Sequence, residues 1–177
     1  MSLSGREFWA VLHGMVFGAF FLLSFAGGLA GLWSLRPGLI TAEGLRERLL
    51  RLRIGFVAMA LAAWATVLSG NYVVYTWYRA VPPAGTKDLT NYPRAFLRAD
   101  PTKISWHSFG MEWKEHVAWL APFLATAVAF IVVYYGPRLV ADRKLRNTTL
   151  ALFVTAFLAA GVAGMMGAFL NKVAPVR

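Results

Sequence analysis

Four long runs of apolar residues constrain this chain more than any other feature. They cover about residues 8–33, 55–77, 116–135 and 149–170. A helix needs roughly 20 residues to cross the hydrocarbon core of a bilayer, which is about 30 Å thick, and each run is long enough. The chain has 177 residues, of which 58% are hydrophobic. We therefore predict one domain, an all-α integral membrane protein built as an up-down bundle of four transmembrane helices.

Two features of the sequence narrow the chemistry. The first apolar run is too long and too aromatic for a cleaved signal peptide, so we predict that it is retained as a span. The chain has no cysteine, which removes disulfides, thiolate metal sites and covalent c-type haem attachment. Any cofactor therefore has to be held by histidine, methionine, carboxylate or backbone groups.

The segments between the apolar runs differ in character. Residues 35–54 contain GLRERLLRLR, a pattern typical of a short amphipathic helix lying in the headgroup plane. Residues 78–115 form the longest polar segment and contain four prolines. Because this segment also carries many aromatic residues, we predict a structured loop rather than a slack linker.

The formal net charge of +10 does not indicate nucleic-acid binding, because the cations cluster beside the apolar runs. Anionic lipid headgroups account for such clusters. Each side of the predicted membrane carries nine Lys and Arg residues, but those of the two short connectors are more densely placed. Density in short connectors marks the cytoplasmic side. We therefore predict a bacterial inner-membrane protein with both termini and the 78–115 loop outside.

Two histidines lie within or beside apolar runs. His13 is near the start of the first run and His116 opens the third, so an up-down bundle brings both to the same leaflet. Two inward-facing imidazoles at one depth are the axial ligands that a b-type haem needs. Gly14 and Gly18 would relieve crowding against a flat ring. Alternatively, His13 bonds a neighbouring polar group and His116 is an ordinary interfacial residue.

Other residues offer alternative ligands. His107, Met15 or Met111 can replace one of the two histidines in the haem scheme. Glu112 and His116 are four residues apart, the spacing at which two helical side chains can share a metal ion. Glu112 and Glu115 are also suited to accept protons from a quinol at the same leaflet.

Five aromatic residues in and just after the polar segment are predicted to bind a partner, because exposed rings in water favour contact with another surface. They are Tyr92, Phe96, Trp106, Phe109 and Trp113. The glycine-rich faces of the first and fourth runs also favour packing against other membrane subunits.

The sequence contains no nucleophile elbow, phosphate-binding loop or HExxH helix. In outline it resembles the small four-helix b-type cytochrome anchors, although the four-histidine, two-haem pattern is absent and no motif identifies a family. We therefore predict a small subunit of an electron-transfer complex that anchors an external redox protein and ligates one haem b or contacts quinone. The alternative is a non-catalytic assembly subunit that packs against larger membrane proteins.

Overall fold

The structure, a computed structural model, describes residues 3–175, which are mostly helical with no strand in that range. Four helices are long and apolar enough to span a membrane. They are α1 (Gly5–Trp33), α2 (Ala42–Tyr78), α4 (Trp106–Tyr135) and α6 (Arg143–Val173), with the short helices α3 (Pro93–Ala99) and α5 (Arg138–Ala141) in the connecting segments. Their outward faces are mostly apolar; Leu23, for example, is 82% exposed.

Three of the long helices begin at a side-chain cap. Ser4 forms a capping box with Glu7. Thr41 accepts a hydrogen bond from the backbone N–H of Gly44, and Asp142 accepts one from that of Leu145. Such caps satisfy backbone donors that have no partner within the helix.

The basic connector differs from its prediction. Residues 42–69 form one continuous α-helix that runs from the connector into the second apolar run. No separate interfacial helix is present in this stretch, because leucine and arginine are good helix formers and no proline or turn signal interrupts them. An ion pair between Glu47 and Arg51, one helical turn apart, adds to the continuity.

The long helices pack through small residues and phenylalanines. α1 and α2 run antiparallel, since Gly31 of α1 lies against Leu52, near the start of α2, while His13 lies against Gly70, near its end. Both α1 and α4 contact α2 and α6. In the middle of the core, Phe153 is fully buried and meets Phe56 edge to face, with ring centroids 4.9 Å apart.

A second, smaller core lies at the end of the molecule that carries the 79–105 segment, called here the loop end. Tyr78, Leu97, Met111, Leu170 and Ala174 are buried together there. The cluster joins the end of α2, the short helix α3, the start of α4 and the end of α6. The loop predicted to be structured thus contains a short helix, α3, that packs against the long helices.

The opposite end, called here the connector end, is held by one buried arginine. Arg146 is 6% exposed, and its Nη1 donates to the carbonyl oxygens of Leu35, Leu139 and Val140 at 3.0, 2.9 and 3.1 Å. These carbonyls belong to the connector after α1 and to α5. One side chain thus fixes both connectors to the first turn of α6.

We expect Arg146→Met to lower the free energy of unfolding by about 2–4 kcal/mol, because three carbonyls lose a charged donor while the side-chain volume is largely kept. Lys144→Met, at an exposed position in the same turn of α6, is the matched control and should change stability little. Equilibrium unfolding in mixed detergent micelles, followed by tryptophan fluorescence, measures both. Equal stability of the two variants would contradict this role of Arg146.

The turn before α4 is organised by Asp100. Its Oδ1 accepts hydrogen bonds from the N–H and the hydroxyl of Thr102 at 2.9 and 2.7 Å, and Lys103 Nζ lies 2.8 Å from Oδ2. The Lys103 hydrogen bond, followed by those from Thr102, lowers the pKa of Asp100 to about 2. The ionised form is therefore the one that the folded turn favours.

We expect Asp100 to titrate near pH 2 in the folded protein, below the usual value of about 3.9 for aspartate. Because the folded pKa is the lower one, the stabilisation is present above about pH 4 and is lost as pH falls through about 2. Carboxyl-carbon NMR of aspartate-labelled protein measures the titration, with Asp100→Asn assigning the resonance. A midpoint near 4 would show that the turn is not formed.

Candidate functional site

Three π-helical turns lie near the loop end. Two of them contain a histidine, and the third packs against one. They are Leu12–Gly18 in α1, which contains His13; Gly70–Val74 in α2, which packs on His13; and Trp106–Met111 in α4, which contains His107. A π-helical turn widens a helix locally, costs stability and is found frequently at functional sites. The departure from regular helix marks this end as the candidate site.

His13 is fixed to α2 through one ring nitrogen. Its Nδ1 is 2.7 Å from the carbonyl oxygen of Thr66 and 3.4 Å from the Ser69 hydroxyl. Its ring lies directly on Gly70, where an added Cβ would be 2.5 Å from Cε1 of the histidine. The predicted alternative, a bond from His13 to a neighbouring polar group, is therefore present. Nε2 has no hydrogen-bond partner among the described residues.

Gly14 and Gly18, the predicted flat surface, have different surroundings. A Cβ added to Gly18 would lie 3.7 Å from the Thr66 methyl group, so this glycine lies at the contact with α2. A Cβ added to Gly14 would meet nothing within 4 Å. Only Gly14 therefore leaves open space beside the histidine-bearing turn.

His107 is buried, with 8% exposure, and both its ring nitrogens face polar groups. Nδ1 is 2.9 Å from the Tyr78 hydroxyl, and Nε2 is 3.7 Å from a carboxylate oxygen of Glu112. The arrangement joins a phenol, an imidazole and a carboxylate in one row, which runs from the buried cluster to the half-buried Glu112. A proton could pass along this row once the 3.7 Å gap between His107 and Glu112 closed to hydrogen-bond distance.

His116 is exposed, and its Nδ1 lies 2.6 Å from the carbonyl oxygen of Glu112, four residues earlier. Glu112, Glu115 and His116 can each offer one ligand atom, with these atoms within 4.8 Å of one another. The i, i+4 spacing thus brings Glu112 and His116 together as predicted. Glu115 Oε2 is buried and has no hydrogen-bond partner within residues 3–175.

Lys114 points across the loop end instead of into water. A Cβ added to Gly167 of α6 would lie 3.2 Å from its Cε and Nζ. The ammonium group is also close enough to His13 and to Glu115 to interact with both electrostatically. Lys114 therefore connects α4 with α6 and places a positive charge near the histidine of α1.

The five aromatic residues predicted to bind a partner divide into two groups. Phe96 and Trp106 pack on the loop-end core, and Tyr92 is half-buried. Phe109 and Trp113 are 62% and 39% exposed and stack on each other, with centroids 6.3 Å apart. Of these five residues, only the stacked pair is exposed, and the predicted partner contact remains a prediction.

Sequence reasoning missed the partners of the histidines. Tyr78 belongs to the aromatic group YVVYTWY, which by composition alone fits the membrane boundary. The apolar run of α2 is interrupted by Thr66, Ser69 and Gly70. Because α1 and α2 are antiparallel, the end of α2 lies beside the start of α1, so these residues are at the same level as His13. Matching polar positions by depth across adjacent antiparallel spans would have found them.

No protein-family profile matches the chain, and no curated protein or solved structure matches it either. The geometry of the loop end is therefore the main guide to function.

We expect Gly70→Ala to destabilise the protein by about 1–3 kcal/mol, because the new methyl group would overlap the His13 ring. Gly14→Ala is the matched control, a glycine in another π-helical turn with open space around it, and should be neutral or slightly stabilising. Equilibrium unfolding in detergent micelles measures both. If Gly70→Ala proved as stable as Gly14→Ala, the close seat of His13 on α2 would be contradicted.

Proposed function

We propose that this protein is a small polytopic subunit of a membrane electron-transfer complex and that it ligates one b-type haem through His13 and His116. One observation carries the proposal. Nδ1 of His13 lies at the carbonyl oxygen of Thr66, and Nδ1 of His116 lies at that of Glu112. In each imidazole, Nε2 is then left for iron. Histidines that ligate metals commonly donate their other ring N–H in this way.

The tautomer follows from the chemistry of the partner. A carbonyl oxygen only accepts hydrogen bonds, so Nδ1 must carry the proton in both residues. A neutral imidazole with its proton on Nδ1 has its lone pair on Nε2, the form that an axial ligand requires. His13 and His116 are therefore held in the ligating tautomer by the backbone itself.

His107 is less suited to ligate haem than His13 and His116. Its two nitrogens face the Tyr78 hydroxyl and the Glu112 carboxylate, so no ring nitrogen is without a polar neighbour. The row is better suited to proton transfer, and we assign it the proton-handling role beside a quinol headgroup. Bound haem would supply one-electron chemistry, while these side chains would hold and move the proton.

The surrounding charges support the same assignment. Lys114 provides a cation near His13, suited to a propionate group. Met15, an alternative ligand, is 72% exposed on the outer surface of α1, and Met111 is buried in the loop-end core. The chain has three histidines, and all of them lie in or beside the loop end. Electrons would therefore enter and leave at one end, through an external redox protein.

The membrane assignment behind this proposal is a four-helix bundle in a bacterial inner membrane, with the loop end outside. The apolar outward faces of the four long helices support insertion. The concentration of arginines at the connector end supports a cytoplasmic position for it.

A second candidate function, a colourless assembly subunit, is favoured by the exposed stacked pair Phe109 and Trp113. Paired aromatic rings in this position suit a contact with a larger membrane protein. This function requires no chromophore, so the same experiment separates the two.

The test is a dithionite-reduced minus air-oxidised visible spectrum of the full chain, purified from cells supplied with haem precursor. We expect one b-type α-band, reduced about tenfold or more in His13→Ala and in His116→Ala, because haem with one axial ligand is held weakly. His107→Ala is the matched control and should keep the band. Added imidazole should restore it in the two ligand variants.

Loss of the band in His107→Ala but not in His116→Ala would contradict the assigned ligand pair. The absence of any band from folded wild-type protein would contradict the haem proposal and leave the assembly function.

A further inference from the structure

We propose that the connector end holds a binding pocket for a phosphate group. The pocket, of about 480 Å³, lies between the end of α1 and the start of α6. Its lining consists of Trp33, Arg36, Pro37, Arg143, Arg146 and Asn147. Three of these six residues are arginines and none is acidic, so the pocket is strongly positive.

Two of the arginines have donors without acceptors. Nε of Arg146 and Nε of Arg36 are buried and make no hydrogen bond to any described residue. Arg146 is 6% exposed, and the three carbonyls that it contacts are all bonded through Nη1. A buried charged donor without an acceptor is costly, which points to a ligand that supplies one.

Arg143, Arg146 and Asn147 lie in the first turns of α6, a helix of 31 residues whose N-terminus is capped by the Asp142 carboxylate. The positive charge of the pocket therefore comes from its arginine side chains. Arg36 stacks on Trp33, with its guanidinium carbon 3.6 Å from the ring centroid. That contact holds the planar group in place for a bidentate bond. A guanidinium group matches a phosphate group in both charge and geometry, whereas an apolar ligand would leave its donors unpaired.

Two sources can supply the phosphate, namely the headgroup of an anionic lipid and a soluble phosphate compound. In the bilayer orientation proposed above, the pocket lies at the headgroup level, where span α1 ends. The recognition chemistry is the same for both sources, and the experiment separates them. The inference does not depend on the haem proposal, because the two sites are at opposite ends of the molecule.

The test uses native mass spectrometry of the full-length protein released from neutral detergent. Phosphatidylglycerol, phosphatidylcholine and inorganic phosphate are each added as the probe. We expect phosphatidylglycerol or inorganic phosphate to give a retained adduct, with phosphatidylcholine retained much less. In the double variant Arg36→Ala/Arg143→Ala the retained fraction should fall by about tenfold or more, because two charged donors are lost. Arg146 is left intact, since its removal would also free the connectors.

The matched control is Arg46→Ala/Lys144→Ala, which removes two exposed cations near the connector end but outside the pocket. It should bind as the wild type does. Retention of phosphatidylglycerol alone identifies a lipid headgroup as the ligand, and retention of inorganic phosphate identifies a soluble compound. An equal loss in both double variants, or equal retention of phosphatidylcholine and phosphatidylglycerol with no phosphate adduct, would overturn the proposal. Tryptophan fluorescence during thermal unfolding verifies that both variants are folded.

Discussion

Hydrogen bonds from side chains to backbone carbonyls hold both ends of this molecule. At the connector end Arg146 donates to three carbonyls, and at the loop end His13 and His116 each have a carbonyl partner. In an apolar interior a carbonyl has few donors to choose from, so the bonds of the buried Arg146 and the part-buried His13 are worth more than they would be in water. A carbonyl also accepts but never donates, and it therefore fixes the protonation of the group that it binds.

Two of the π-helical turns lie where a side chain bonds to the backbone of another helix. In a regular helix each carbonyl accepts a hydrogen bond from its own helix, whereas a π-helical turn changes the local pattern of these bonds and the direction of the following side chains. The turn at Gly70 begins four residues after Thr66, whose carbonyl accepts from Gly70 N–H as well as from the His13 ring. Glycine at this position lets the imidazole lie on the backbone. The irregular geometry of both helices is thus concentrated where one polar side chain crosses between them.

The parts of this fold that sequence can predict are those with a strong one-dimensional signal. Apolar runs of membrane length predict the four long helices, and Ser4 with Glu7 predicts the first cap. The connector helix is where the pattern misleads, because GLRERLLRLR has the amphipathic composition of a surface helix. What decides its continuity with the rest of α2 is the absence of proline, since Gly55 alone does not end the helix, and this is a weaker signal than amphipathicity.

The candidate site could be predicted only in part. His13, His107 and His116 stand out in the sequence because ionisable residues are rare beside apolar runs. Their partners do not, since Thr66 contributes a carbonyl and Gly70 contributes the lack of a side chain, and neither property depends on a recognisable motif. The burial of Arg146 is equally hard to predict, because nothing in the sequence distinguishes it from the other arginines of the basic connectors. Contacts made by the backbone are set by how helices meet, which a single sequence leaves open.

The division of polar groups between the two ends restricts what the chain can do alone. Between the ends, the core consists of apolar side chains such as Phe56, Val128 and Phe153. With the proposed haem at the loop end, this apolar interior would separate it from the connector end. Under the proposed function, redox chemistry would be confined to the loop end, while the connector end, with its buried arginine and positive pocket, would fix the chain's position. Such a chain would work on one face of the membrane and would depend on partners for the rest of the reaction.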